Sequence, residues 1–263
     1  MNVLIMTDLE GVSGVELKEQ VHDTKSAGYR FACERLMADT NAAVEGAKRA
    51  GADVVYVVDG HGGGKNFIDS KLDPRATKVS VSEFGEMLED VQIDAYLQIG
   101  AHAMPHTPKA FLSHVMSSAR WYNYRINGVC YGEIAMSALY AGMHGVPCVM
   151  VSGDTAACTE AHSCLGENVA CAEVKKGLCW TRAECIDLND AEKLIRDVAE
   201  NGIRRRNEIK PFTLPMPLKV TLELLRADIC DDFYEERPYL TRIDARTVER
   251  VAEEIKTYSD VQF

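Results

Sequence analysis

Five side chains able to bind a metal stand directly behind three apolar runs. Asp8 and Glu10 follow Val3-Leu4-Ile5-Met6, Asp59 and His61 close "ADVVYVVDGH", and His102 follows "DAYLQIG". The first run is short, uninterrupted and β-favouring, the pattern of a strand buried on both faces of a parallel sheet, and the other two read as further strands. Ligands of open α/β sheets gather outside the carboxyl ends of the strands, so groups delivered there by three strands converge on one edge. Glu133 arrives by another route, opening a helix directly after Gly132, where the helix dipole favours a carboxylate even without a metal. His106 and His114 lie on the loop after His102, and Pro105 and Pro108 stiffen that loop enough to hold one of them over a site.

Asp8, Glu10, His61, His102 and Glu133 form a mixed imidazole and carboxylate set. Such donors suit zinc, or less specifically manganese, cobalt or nickel, rather than calcium or magnesium. Five are too many for one catalytic zinc, which takes three protein ligands and keeps a position open. Two ions fit better. If one carboxylate bridges, each ion has three protein ligands and a shared hydroxide, and three carboxylates plus one hydroxide balance two divalent charges.

The elements that must position these residues are legible from periodicity. Apolar residues recur at helical spacing from Ala27 to Ala50, and Gly51 follows as a C-terminal glycine should. Strand, helix and strand in the first sixty residues make a βαβ unit and hence a parallel sheet. "TKVSV" and "DAYLQIG" predict two more strands, and Asn127-Gly128 in "WYNYRINGVCYGE" is a hairpin signal. A helix from Glu133 to Gly142, the strand "PCVMVSGD", a helix toward Leu165, the strand "NVACAEV" and a helix from Ala191 to Arg206 follow. Beyond the proline-rich "PFTLPMP", the strand "KVTLELL" and a helix from Asp244 to Lys256 are expected. The expectation is an α/β fold, a mostly parallel sheet with helices on both faces. Residues 1–210 would form the metal-binding catalytic domain and 211–263 a smaller α+β portion.

Composition narrows the class. The chain has 263 residues, 46% hydrophobic and 26% charged, with a formal net charge of -11. That charge argues against nucleic acid as a partner, since phosphates would be repelled. The one basic cluster, "IRRRNEIK", reads as a solvated helix end. No basic n-region precedes the first apolar run, and nothing approaches the ~18 apolar residues of a spanning helix, so no membrane partner and a cytoplasmic location are expected. Nine cysteines, an odd count, are expected to be reduced thiols. Cys158, Cys164, Cys171, Cys179 and Cys185 contain no C-x2-C pair, which leaves little case for a structural zinc there.

Six motifs occur in order: T-D-x-E-G at Thr7 to Gly11, D-G-H at Asp59 to His61, G-x-H-A at Gly100 to Ala103, T-P followed by Ser113-His114, N-G-x-x-x-G-E from Asn127 to Glu133, and V-P-x-x-M-V-x-G-D from Val146 to Asp154. Together they resemble the D-aminopeptidase family of dinuclear zinc peptidases, from Met1 to about residue 165 and more faintly beyond. The resemblance implies that Asp8 bridges two zinc ions, that Glu10 and His61 complete one site, and that His102 and Glu133 complete the other. It implies a catalytic role for His114, and ring-shaped, decamer-type homo-oligomers whose active sites face an internal chamber. Three departures stand out: Thr7 replaces a serine, the loop after His61 is "GGGKN", and the spacing from His102 to His114 is one residue longer than the pattern.

The expected function is therefore a metallo-aminopeptidase that removes the N-terminal residue from short peptides or amino-acid amides through a zinc-activated hydroxide, with D-preference resting on the resemblance alone. A non-catalytic metal or small-ligand binding protein, and a metal-dependent amidohydrolase acting on a non-peptide bond, remain as alternatives, because fold and ligands do not name a substrate. A serine esterase, suggested by "HGGG" at His61 to Gly64, would need G-x-S-x-G downstream, and none is present.

Overall fold

A computed structural model describes residues 1–263. In chain order its main elements are β1 (Asn2–Thr7), α1 (Glu19–His22), α2 (Ala27–Arg49), β2 (Val54–Asp59), β3 (Ala76–Val79), α3 (Val81–Met87), β4 (Ala95–Ala101), β5 (Trp121–Ile126), β6 (Val129–Cys130) and α4 (Glu133–Met143). These are followed by β7 (Cys148–Asp154), α5 (Thr155–Leu165), β8 (Ala170–Cys179), β9 (Arg182–Cys185), α6 (Leu188–Arg204), β10 (Leu218–Leu224), α7 (Ala227–Glu235), β11 (Thr241–Arg242) and β12 (Thr247–Ala252).

Seven strands form the main sheet in the order β3-β2-β1-β4-β7-β8-β9, parallel throughout except for the final β8–β9 pair. Alternate residues of β1 separate two cores. Val3 and Ile5 pack on Ala43, Val44 and Ala47 of α2 and on Ala191 and Ile195 of α6. Leu4 faces the opposite core, which includes Phe84 of α3, Leu139 of α4 and Ala157 of α5. Burying β1 on both faces requires the continuous apolar run seen in its sequence. The order reverses at β1, since β2 lies on one side and β4 on the other. Loops leaving the carboxyl ends of β1 and β4 diverge there and open a crevice.

A second, antiparallel sheet has the order β11-β12-β10-β5-β6. Its hairpin β5–β6 turns on Asn127 and Gly128 with φ of 51° and 85°, the left-handed pair that favours Asn-Gly. β10 pairs with β5 on one side and β12 on the other, so this sheet joins residues 121–130 to the C-terminal strands. Val220, Leu222 and Val248 line its inner face beside Tyr124 and Ile126.

The helix expected from Asp244 to Lys256 is overturned: Thr247–Ala252 is strand β12, paired residue for residue with β10. Val248, Val251 and Ile255 have helical spacing, but Val248 and Ala252 bury one side of the strand while Val251 stays exposed. Pairing with an already formed strand, aided by the β-branched Thr247, Val248 and Val251, outweighs a weak local periodicity. Helices α3 and α7 had no strong sequence signal. In α3, Ser80 and Glu83 form a reciprocal capping box, and this cap sets where the expected "TKVSV" strand stops.

Candidate metal centre

The parallel register brings the donors together. Thr7 lies opposite Asp59 of β2 and Ile99 of β4, so Asp8, the loop to His61 and the loop to His102 all leave the sheet at one level. The Asp8 amide donates to the Ile99 carbonyl at 2.8 Å and the Gly11 amide to the Gly100 carbonyl at 2.7 Å, folding the Asp8–Gly11 turn across the end of β4. A Cβ on Gly11 would lie 2.1 Å from the Ala101 carbonyl oxygen, so this close crossing needs glycine. Lys175 of β8, fully buried, donates from Nζ to the Glu10 carbonyl at 2.8 Å and the Val15 carbonyl at 2.6 Å, pinning the same turn from behind. Burial pushes its ammonium down to about 8 against the pull of nearby acidic groups.

All five expected ligands and His114 line one cavity of about 520 Å³ at the carboxyl ends of β1 and β4. Two clusters share it: Asp8, Glu10 and His61 in one, and His102, His114 and Glu133 in the other, with the donor atoms of each cluster within 4.8 Å of one another. Asp8 touches both. Its Oδ1 is 2.9 Å from His61 Nδ1 and its Oδ2 is 3.3 Å from His102 Nε2. Glu10 Oε2 lies 3.1 Å from His61 Nδ1, and Glu133 Oε1 lies 3.3 Å from His102 Nε2 and 3.8 Å from His114 Nε2.

Glu10 Oε2 and His102 Nε2 are buried with no hydrogen-bond partner. Two orphaned atoms of this kind in one cavity are costly unless a cation occupies the space between the donors. The imidazoles are set for that task. His102 Nδ1 approaches the Ala103 carbonyl at 3.1 Å, which places its proton there and leaves Nε2 free, the usual orientation of a metal-binding histidine.

Electrostatics agree. Burial works to lower the His61 pKa, yet Glu10 and Asp8 outweigh it and raise the imidazole to about 11. Burial is likewise overcome at His102, which Glu133 and Asp8 hold well above the ordinary histidine value. Burial would raise Asp8, but the imidazoles of His102 and His61 beside it keep it well below its usual range, and His102 lowers Glu133 against the same burial effect. Protons on two imidazoles thus neutralise part of a triple carboxylate site, a role divalent cations fill with more charge.

Asp59, grouped with the metal-capable residues on sequence, does not join them. Its carboxylate accepts the Asn66 amide at 2.6 Å, Asn66 Nδ2 at 2.8 Å and the Phe67 amide at 3.0 Å, and Asn66 Nδ2 also donates to the His61 carbonyl at 2.7 Å. Asp59 is a clamp for the loop that carries His61. Gly62, Gly63 and Gly64 have φ of 55°, 87° and 79°, and this left-handed run turns the chain back so that Asn66 reaches the clamp.

His106 sits edge-on to Tyr122 with ring centroids 4.4 Å apart and does not line the cavity. His114 does. Its ring stacks on His102 at 4.0 Å, and its Nδ1 donates to the Leu112 carbonyl at 2.7 Å, leaving Nε2 facing Glu133. Sequence reasoning missed other wall residues, namely His22, Met116, Ser117, Tyr258 and Gln262. Lys175 was detectable as a lysine within an apolar strand, whereas Tyr258 and Gln262 carry no local signal.

Residues 1–261 match the Peptidase_M55 family, D-aminopeptidase. The chain belongs to this D-aminopeptidase family. A D-aminopeptidase of Bacillus subtilis (strain 168) is 30% identical over 219 residues, 82% of this chain and 78% of that protein. The solved structure of the Zn-dependent D-aminopeptidase DppA from Bacillus subtilis, described as a self-compartmentalizing protease, matches with a TM-score of 0.90 at 25% identity. The match covers 99% of this chain and 95% of that one. This D-aminopeptidase family member is accordingly a metallo-aminopeptidase with the α/β fold its sequence led us to expect.

Proposed function

We propose that the chain hydrolyses the N-terminal residue, a D-amino acid, from short peptides or amino-acid amides at a centre of two zinc ions. The observation that carries this reading is Asp8, whose two carboxylate oxygens face two different imidazoles at 2.9 and 3.3 Å. Asp8, Glu10 and His61 would hold one ion, and Asp8, His102 and Glu133 the other. When bound, such a pair lowers the pKa of water toward ~7 and polarises the scissile carbonyl, and manganese, cobalt or nickel would satisfy the same donors.

The remaining work falls to the protein's own groups. The free amine of the substrate would meet a carboxylate oxygen of the site, which favours binding at a peptide's N-terminus over its interior. His114, held through Nδ1 by the Leu112 carbonyl, presents Nε2 to the cavity, where it can take up the proton given off by the attacking water and deliver it to the leaving amine, a role worth about 10²–10⁴ in rate. The cavity, about 520 Å³, is the size of a small-ligand site.

The structure it resembles is described as self-compartmentalizing, which supports a homo-oligomer; a ring of the decamer type is the form we propose. Exposed Leu17, Leu178, Trp180, Tyr239, Ile243 and Val251 offer apolar contact surface for it. No helix is long and apolar enough to cross a membrane, and with the acidic composition this supports a cytoplasmic location.

Metal analysis of the purified protein, paired with D-Ala-D-Ala, L-Ala-L-Ala and the matching amino-acid amides, tests the assignment. Two equivalents of metal and turnover of the D-substrates are expected. Bound metal without turnover of any peptide or amide would instead make the chain a metal-binding protein.

A further inference from the structure

The segment "TYSDVQF", residues 257–263, is held firmly against the second sheet and the helices beside it. Tyr258–Val261 is a single 3-10 turn whose cap is reciprocal: Asp260 accepts the Thr257 amide at 2.8 Å and the Thr257 hydroxyl at 3.1 Å. Val261 is fully buried and its carbonyl accepts the Tyr124 hydroxyl, while Arg250 Nη2 donates to the Ser259 carbonyl at 2.8 Å.

These anchors fix one ring. Tyr258 meets Phe84 of α3 edge-on at 5.0 Å and Tyr140 of α4 at 5.6 Å, and Tyr140 is itself held by hydrogen bonds to the Phe84 and Gly85 carbonyls at 3.2 and 3.0 Å. With the ring wedged between two helices, the side chain enters the cavity shared by Asp8, His102, His114 and Glu133, with Gln262 on the same wall. A packed aromatic ring of this kind presents its hydroxyl with little freedom left to lose, as preorganised catalytic donors must.

We propose that Tyr258 is a catalytic residue whose hydroxyl donates a hydrogen bond to the scissile carbonyl oxygen as that oxygen becomes the oxyanion of the tetrahedral intermediate. The inference rests on the aminopeptidase reading above. The phenol can accept from an ammonium or donate to an oxygen; the carboxylates of the site already serve the ammonium, so the partner left for its proton is the carbonyl oxygen on which negative charge develops. A phenol keeps its proton at neutral pH, and burial of this one favours the neutral form further, so the hydroxyl acts as a donor. No proton is transferred and no bond to Tyr258 forms. Its hydrogen bond strengthens as charge accumulates on the oxygen, while His114 supplies the proton to the leaving amine.

Tyr258→Phe removes one oxygen and keeps the ring that packs on Phe84 and Tyr140. Metal content, kcat and KM for D-Ala-D-Ala, and the inhibition constants of a phosphinic D-Ala-D-Ala analogue and of D-alanine would be measured for both proteins. Loss of one oxyanion donor lowers kcat by about 10²–10³. We expect that loss with full metal, KM changed less than about threefold, and the tetrahedral analogue weakened far more than D-alanine. Loss of metal, equal weakening of the two inhibitors, or a kcat within about threefold of wild type would each overturn the proposal. If wild-type protein turns over neither D- nor L-peptides, the aminopeptidase reading falls and this inference with it. An active wild type matched by Tyr258→Phe overturns only the role of Tyr258.

Discussion

Asp8→Asn tests the centre most directly, because Asp8 is the only carboxylate that reaches both imidazoles, and asparagine keeps its size while removing its charge. Two unit charges ~4 Å apart at an effective dielectric of ~20 interact by about 4 kcal/mol, and the energy doubles for a divalent ion. Losing even the smaller amount at each ion weakens it by roughly three orders of magnitude. Glu10→Gln removes a carboxylate that touches only His61, so it should spare the cluster of His102 and Glu133. After dialysis against a weak chelator, metal analysis should give two equivalents for wild type, about one for Glu10→Gln and far less than one for Asp8→Asn. Activity should follow the same order. If Asp8→Asn retains two equivalents, the bridging role is wrong however the activity responds.

His114→Ala should keep both metals and its assembly while kcat falls about a hundredfold or more, and His106→Ala should change little; the reverse pattern would move the catalytic role to His106. Loss of metal in His114→Ala would instead make His114 a ligand, as its place beside His102 and Glu133 allows. Metal affinity should rise with pH. His61 is raised to about 11, so the metal-free protein carries that proton at neutral pH, keeps its stabilisation below the unfolded value of ~6.5, and loses it as pH climbs through about 11. A cation must expel the proton, so calorimetry at pH 7 in buffers of different ionisation enthalpy should detect protons released on zinc binding; none released would contradict the protonated pair. Titration of denatured, unreduced protein should find close to nine thiols, all nine cysteines being free, and a clearly lower count in fresh protein would indicate oxidation or a bound metal.

The donors were legible because the fold that gathers them is built from local signals. Val3–Met6, "VVYVV" and "AYLQI" declare buried strands, and parallel register then fixes Thr7, Asp59 and Ile99 at one level without further information. What periodicity could not say was which side chain beyond a strand turns inward. Asp59 and His61 are two residues apart and equally suited to metal. The choice is made by Asn66, which binds the Asp59 carboxylate only because three glycines fold the chain back to it. The rest was hidden by sequence distance. Tyr124 meets Val261 across 137 positions, and β12 takes strand geometry from β10 against its own helical spacing. Residues whose conformation is decided by such remote partners leave no local pattern, and Tyr258 is one of them. A reading from motifs therefore reaches the groups that gather in the cavity and are proposed to hold the ions, and misses the wall that would face the substrate. That is why substrate preference, unlike the metal set, has to be sought in the C-terminal tail and the second sheet that anchors it.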